Sequence, residues 1–179
     1  MKKVKPEELL SYGVHLGHKK QRVHPRARKF IHKIESGVSI IDLFQTAERL
    51  ETACTIAKSL GKSKKVLLLV GTKRVARDVI RDAGQKHNLP YVSQKWVGGL
   101  LTNFAEISKN VKRIKDMRSE QDEGTWKKLP KHEQVALEKK LNRIASIYDG
   151  VVSMTELPDA LFIVDIKKEK NAIMEARRL

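Results

Sequence analysis

Residues 13–30 read GVHLGHKKQRVHPRARKF and carry three histidines and six lysines or arginines with no carboxylate. Two chemistries use such a stretch. The first is metal binding: His15 and His18 are separated by two residues, and His24 and His32 lie nearby. Structural zinc, however, commonly takes four ligands in tight pairs that include cysteine. No cysteine is near, and surrounding cations oppose another cation, so the histidines are expected to pack or hydrogen-bond within the stretch. The second chemistry is phosphate binding. Lys19, Lys20, Arg22, Arg26, Arg28 and Lys29 repel one another until phosphate or solvent neutralises them. Arginine forks take phosphate oxygens two at a time. The phosphate reading accounts for more of the residues.

Two further stretches suit an anion. VGTKR, residues 70–74, stands where an apolar run gives way to a helical pattern. Backbone N–H groups at such a junction can hold an anion. It lacks the glycine spacing and the lysine–serine/threonine ending of a nucleotide loop. Lys73 and Arg74 meet either nucleic-acid phosphate or solvent. KWVGGLLTN, residues 95–103, sets Lys95 beside Trp96 and then two glycines. A basic residue beside an aromatic can stack on a base or sugar; alternatively Trp96 fills the core and the glycines shape a turn. Asn103 can cap the helix that follows. There is no nucleophile elbow and no H-E-x-x-H, and Cys54 lies on an apolar helix face where core packing explains it.

The whole composition points the same way. The 179 residues hold 37 basic against 21 acidic side chains, a net charge of +16. Such a surplus attracts polyanions. It is uneven: residues 1–34 hold ten basic residues and two acids, whereas 105–150 hold eleven and eight. No apolar run is long enough to span a membrane, and MKKVKPEELL lacks the apolar core of a signal peptide. The single Cys54 excludes an internal disulfide and fits a reducing compartment.

The elements that position these residues follow from periodicity. KPEELLSYG predicts a short helix closed by Gly13, and Gly13, Gly17 and Pro25 make the basic stretch a loop or irregular arm. KFIHKIESGVSIIDL predicts a hairpin turning at Glu35–Ser36–Gly37. Asp42 then caps a helix, with Gln45 reaching back and Gly61 ending it. KKVLLLVGTKR predicts a strand buried on both faces, followed by a helix over 74–87. LPYVSQKW and DALFIVDI predict two more strands, the latter followed by a helix to the C-terminus. The alternation predicts an α/β layered domain of Rossmann or flavodoxin type with a mainly parallel sheet.

Residues 104–148 interrupt the alternation. Phe104, Ile107, Val111 and Ile114, then Leu137, Leu141, Ile144 and Tyr148, recur at heptad spacing around a polar link. They predict an antiparallel coiled-coil hairpin with Lys112 and Arg113 on its charged outer face. The expected division is therefore an α/β domain of 1–103 and 149–179, with 104–148 inserted. A parallel sheet usually receives another strand after such a final helix, so the sequence looks cut short at Leu179.

Together, GVHLGHKKQRVHPRARKFI, VGTKR, KWVGGLLTN, EGTWKKLPKHE and LPDALFIVD resemble, in order and over nearly the whole chain, the small-subunit ribosomal protein S-two family. The hairpin resembles that of bacterial and organellar members. The resemblance implies a non-enzymatic component of the small ribosomal subunit that binds its rRNA and neighbouring small-subunit proteins. It also implies help in docking ribosomal protein S-one. It needs no cofactor, metal or membrane, and a cytoplasmic or organellar ribosome is its location. Carried over by motif, His15, His18, Lys19, Arg22, Pro25 and Arg28 face RNA, joined by Lys95, Trp96 and Asn103; His24 belongs to the same block. Val23 stands where relatives commonly place tryptophan, and Thr155–Glu156 replace a frequent glycine pair. A small nucleotide- or metal-dependent enzyme would want a complete phosphate loop and acidic ligands, both missing from the sequence. A free RNA-binding regulator would use the same residues as a ribosomal protein.

Overall fold

The computed structural model describes residues 4–179. They divide at Ser63 and Lys64 into two compact units, a boundary that the sequence pattern does not mark.

The first unit begins with α1 (Pro6–Ser11), which has Pro6 in its first turn beside Glu7 and Glu8. Proline there loses no helical bond, and the carboxylates favour the positive end of the helix. Three strands follow: β1 (Leu16–Lys19), β2 (Ile31–Glu35) and β3 (Val38–Ile41). They form an antiparallel sheet in the order β1-β3-β2. The predicted hairpin is β2–β3, turning on Ser36 and Gly37 at φ 48° and 77°. Two consecutive positive φ values match the tight hairpin turn whose twist suits the strands. Helix α2 (Leu43–Lys62) starts at Asp42, whose carboxylate accepts from the N–H groups of Phe44 and Gln45 at 2.9 and 3.1 Å. Gln45 Nε2 reaches back to Asp42 at 2.9 Å. The helix runs one residue past Gly61, and Cys54 is only partly buried on it.

The second unit is built on a parallel sheet, β5-β4-β6, of β4 (Leu67–Val70), β5 (Tyr91–Val92) and β6 (Ala160–Ile163). The parallel sheet expected of an α/β domain is present here with three strands, while β1, β2 and β3 make a separate antiparallel sheet that contains the predicted hairpin. Strand β4 is central, with Leu68 and Val70 wholly buried and Leu69 nearly so. That is why its apolar run is continuous rather than alternating. Helix α3 (Arg77–His87) covers one face through Ile80, which packs with Leu69 and Ala76. Leu68, Val70, Val92, Trp96, Leu100 and Leu101 form the core on the other side with Ala172 of α6 (Lys170–Ala176).

Helices α4 (Phe104–Asp122) and α5 (Lys131–Tyr148) lie between β5 and β6 in sequence. Ile107 and Val111 of α4 belong to the core around β4. Farther along, Ile114 and Met117 form a second cluster with Trp126 and Leu141, flanked by Leu137 and Ile144. The linking segment is therefore not merely polar. Trp126 is buried and donates its indole N–H to Glu120 at 3.1 Å.

Candidate nucleic-acid interface

In the first unit the basic stretch has a defined backbone. Of the loop or irregular arm expected over 13–30, the structure shows an irregular arm that starts with a strand the sequence pattern does not predict: β1 pairs with β3, and two 3₁₀ turns, Lys20–Arg22 and Pro25–Phe30, carry most of the cations. Gly17 permits this pairing, because a Cβ there would lie 2.8 Å from the carbonyl oxygen of Ser39. Buried Ser39 adds a bond from its hydroxyl to the carbonyl of His18 at 2.9 Å. The Lys20 N–H donates to Gly37 at 2.9 Å, and that of Ile41 to His15 at 2.8 Å.

On this backbone Lys19, Lys20, Arg22, Arg26, Arg28 and Lys29 are all exposed. Among the described residues none of the six forms an ion pair with a carboxylate. The histidines do not converge. His24 starts the second 3₁₀ turn, its Nδ1 accepting the Arg26 N–H at 3.2 Å. His18 is exposed, and His15 holds a buried Nδ1 that makes no hydrogen bond among the described residues. No group of three or more metal-ligating side chains comes together among those residues. Lys20, Val23, Arg28, Ile31, Lys33 and Ile34 line an open groove of about 590 Å³. The Phe30 ring lies under Lys29 and Arg49, at 5.1 and 4.6 Å from its centroid. Arg49 is a cation of this surface that the sequence pattern, which places it on a helix, does not single out.

The second unit treats charge differently. Lys73 Nζ is bound to Asp165 Oδ2 at 2.8 Å, and Asp165 also accepts the Lys168 N–H at 3.2 Å. The Lys73 bond, with that from Lys168, holds the Asp165 carboxyl below its usual pKa. Arg74 is exposed, as are Lys95 and, on α4, Lys112 and Arg113. Asn103 stands at the start of α4 but makes no side-chain cap, which corrects that expectation.

Trp96 is corrected as a stacking residue. It is 7 % exposed, and its indole N–H donates to Glu175 at 3.0 Å. Glu175 Oε1 also accepts the Gly99 N–H at 2.8 Å, while Oε2 accepts those of Leu101 and Thr102 at 3.0 and 3.3 Å. One carboxylate from α6 thus ties the whole loop after β5. Burial alone would raise the Glu175 carboxyl; the donors of Trp96, Leu101, Gly99 and Thr102 outweigh it and hold the pKa below normal. Buried Glu169 ties the loop after β4, accepting from Thr72 N and Oγ1 at 3.0 and 2.6 Å. Neither glutamate is singled out by sequence, since their partners lie some 70 to 100 positions away.

No helix among the described residues is long and apolar enough to cross a membrane. A family model described as Ribosomal protein S2 matches residues 9–179. That match spans both units, from the end of α1 through the basic stretch and the two glutamate-tied loops to the last residue of the sequence. The chain belongs to the ribosomal protein S2 family, a family of structural, non-enzymatic proteins of the small ribosomal subunit.

Proposed function

We propose that this protein binds small-subunit ribosomal RNA chiefly through residues 15–29. Lys19, Lys20, Arg22, Arg26, Arg28 and Lys29 contact phosphates, and His15, His18 and His24 shape or join that surface. The observation that supports it most is the set of six exposed cations, held on an ordered backbone with no internal carboxylate partner among the described residues. Charges so close on one surface repel, and phosphates relieve the repulsion while releasing counterions. Arg74, Lys95, Lys112 and Arg113 are auxiliary contacts, whereas Lys73 is already neutralised by Asp165. Docking of ribosomal protein S-one is a further role that rests on the family resemblance alone. Cosedimentation tests the reading: the wild-type chain travels with small subunits through a sucrose gradient at moderate salt, and replacement of the six cations by alanine releases it. Equal retention of both proteins refutes the phosphate role.

We read residues 104–148 as a coiled-coil hairpin inserted in the α/β architecture, directing Lys112 and Arg113 toward RNA. The cluster of Ile114, Met117, Trp126 and Leu141, distinct from the core around β4, supports it. Ile114 is wholly buried. Ile114→Asp places a carboxylate in that cluster at a cost of several kcal/mol, on the order of 3–5. Circular dichroism should then lose part of the helical signal while hydrogen exchange at β4 stays slow. Collapse of β4 protection shows instead that the Ile114 cluster, and not only Ile107 and Val111, is continuous with the main core.

A further inference from the structure

The second unit holds a crevice of about 330 Å³ that the arm does not explain. It lies outside the carboxyl ends of the parallel strands, among residues that follow β4, β5 and β6. The chain leaves β4 to reach β5 on one side, then crosses back to β6 on the other. In open parallel sheets the crevice at such a reversal is where ligands bind.

Its charge selects an anion. Arg77, Lys95 and Lys168 line it against the single carboxylate of Glu169, and none of the three cations is in an ion pair among the described residues. Arg77 is fixed in place: its Nε donates to the Thr72 carbonyl at 3.1 Å and its Nη2 to that of Gln94 at 3.4 Å. The guanidinium thereby bridges the loops after β4 and β5 and keeps N–H groups for an incoming phosphate.

Glu169 refines the ligand. It is 3 % exposed, yet it lines the crevice. Both Thr72 donors go to Oε1, leaving Oε2 for a ligand. A bare phosphate is repelled by a carboxylate, whereas a sugar hydroxyl beside the phosphate donates to it. The carboxylate–ribose pairing of nucleotide-binding α/β folds works in this way. The volume suits one nucleotide and not a duplex, and the loops lack the spacing that cradles a triphosphate. The geometry points to a site for a single ribonucleoside 5′-phosphate unit: phosphate on Arg77, Lys95 and Lys168, ribose hydroxyl on Glu169. The unit comes either from an unpaired nucleotide of bound RNA or from free nucleotide, and the inference rests on the RNA reading only for that choice of source.

The test titrates the full chain with the four ribonucleoside 5′-monophosphates, their 2′-deoxy forms and inorganic phosphate, followed by amide and indole NMR shifts. Saturable shifts are expected at Thr72, the Trp96 indole and Lys168–Asn171, at least tenfold weaker for deoxynucleotide or phosphate. Lys95→Ala with Lys168→Ala should weaken nucleotide binding at least tenfold while the Trp96 indole resonance keeps its position, showing intact loops. Equal binding of ribose and deoxyribose forms, or of phosphate alone, overturns the assignment, as does binding indifferent to the double variant. Replacing the six arm cations should leave nucleotide binding unchanged, so failure of the arm and failure of the crevice are separable. Small-subunit RNA that displaces the bound nucleotide identifies RNA as the source; RNA that binds and leaves it in place identifies free nucleotide.

Discussion

The basic arm and the loop after β5 both carry motifs rich in potential phosphate ligands, and they end in opposite states. In the arm six cations stand exposed on strand β1 and two 3₁₀ turns with no carboxylate partner among the described residues. In the loop, the N–H groups that could have held an anion are already filled by one: Glu175 accepts from Trp96, Gly99, Leu101 and Thr102. The lesson is that a donor-rich motif announces a need for negative charge without saying who supplies it. Where a buried glutamate does, the motif is part of the fold; where none does, the charge awaits a partner.

Removing the internal anion should therefore destabilise the second unit without touching the arm. Glu175→Ala leaves at least three buried or half-buried donors without acceptors and should cost about 3 kcal/mol or more. Denaturant unfolding followed at Trp96 measures it, and the salt dependence of RNA binding should be unchanged. A smaller effect is expected at the loop after β4. Thr72→Val keeps the shape but removes the hydroxyl donor to Glu169 and should cost roughly 1.5–3 kcal/mol. At the arm the contrast should be complete: Arg22→Ala should leave the unfolding free energy within about 0.5 kcal/mol, since the side chain is exposed and has no carboxylate partner among the described residues. A large loss of stability at Arg22 would show that the arm charge is structural after all.

Acid tests the glutamate tie itself. The folded-state pKa of Glu175 lies below its ordinary value near 4.5, so its contribution to stability is fully present above that value. It is lost as pH falls through the lowered folded value. The second unit should weaken below about pH 4.5, and Glu175→Gln should flatten that dependence. An unchanged pH profile in Glu175→Gln would show that the carboxylate is not held ionised.

Much of this is legible in the sequence wherever local chemistry decides. LLLV reads as a strand buried on both faces, and Asp42 with Gln45 announces the start of α2. The turn at Ser36–Gly37 needs no tertiary information. Strand β1 is not legible, because LGHK shows no alternation; its pairing depends on the close approach of Gly17 to Ser39 on β3. Trp126 hides in a polar link because burial there is decided by Ile114 and Leu141, from two different helices. The glutamate ties are invisible for a similar reason. Glu175 lies 79 positions from Trp96, and a glutamate on a charged terminal helix looks solvated. The exposure of the six arm cations follows from their density alone, but what they bind lies outside the chain.

Salt dependence addresses that last point directly. The affinity of the full chain for small-subunit RNA should be measured across a range of monovalent salt, for the wild type and for the variant with Lys19, Lys20, Arg22, Arg26, Arg28 and Lys29 all changed to alanine. Removing one cation–phosphate interaction should lower the slope of log affinity against log salt by roughly 0.7–0.9. If all six cations engage phosphates, the slope should fall by about 4–5, with weaker binding throughout. An unchanged slope would mean that the arm's charge faces only solvent and that the RNA interface lies elsewhere.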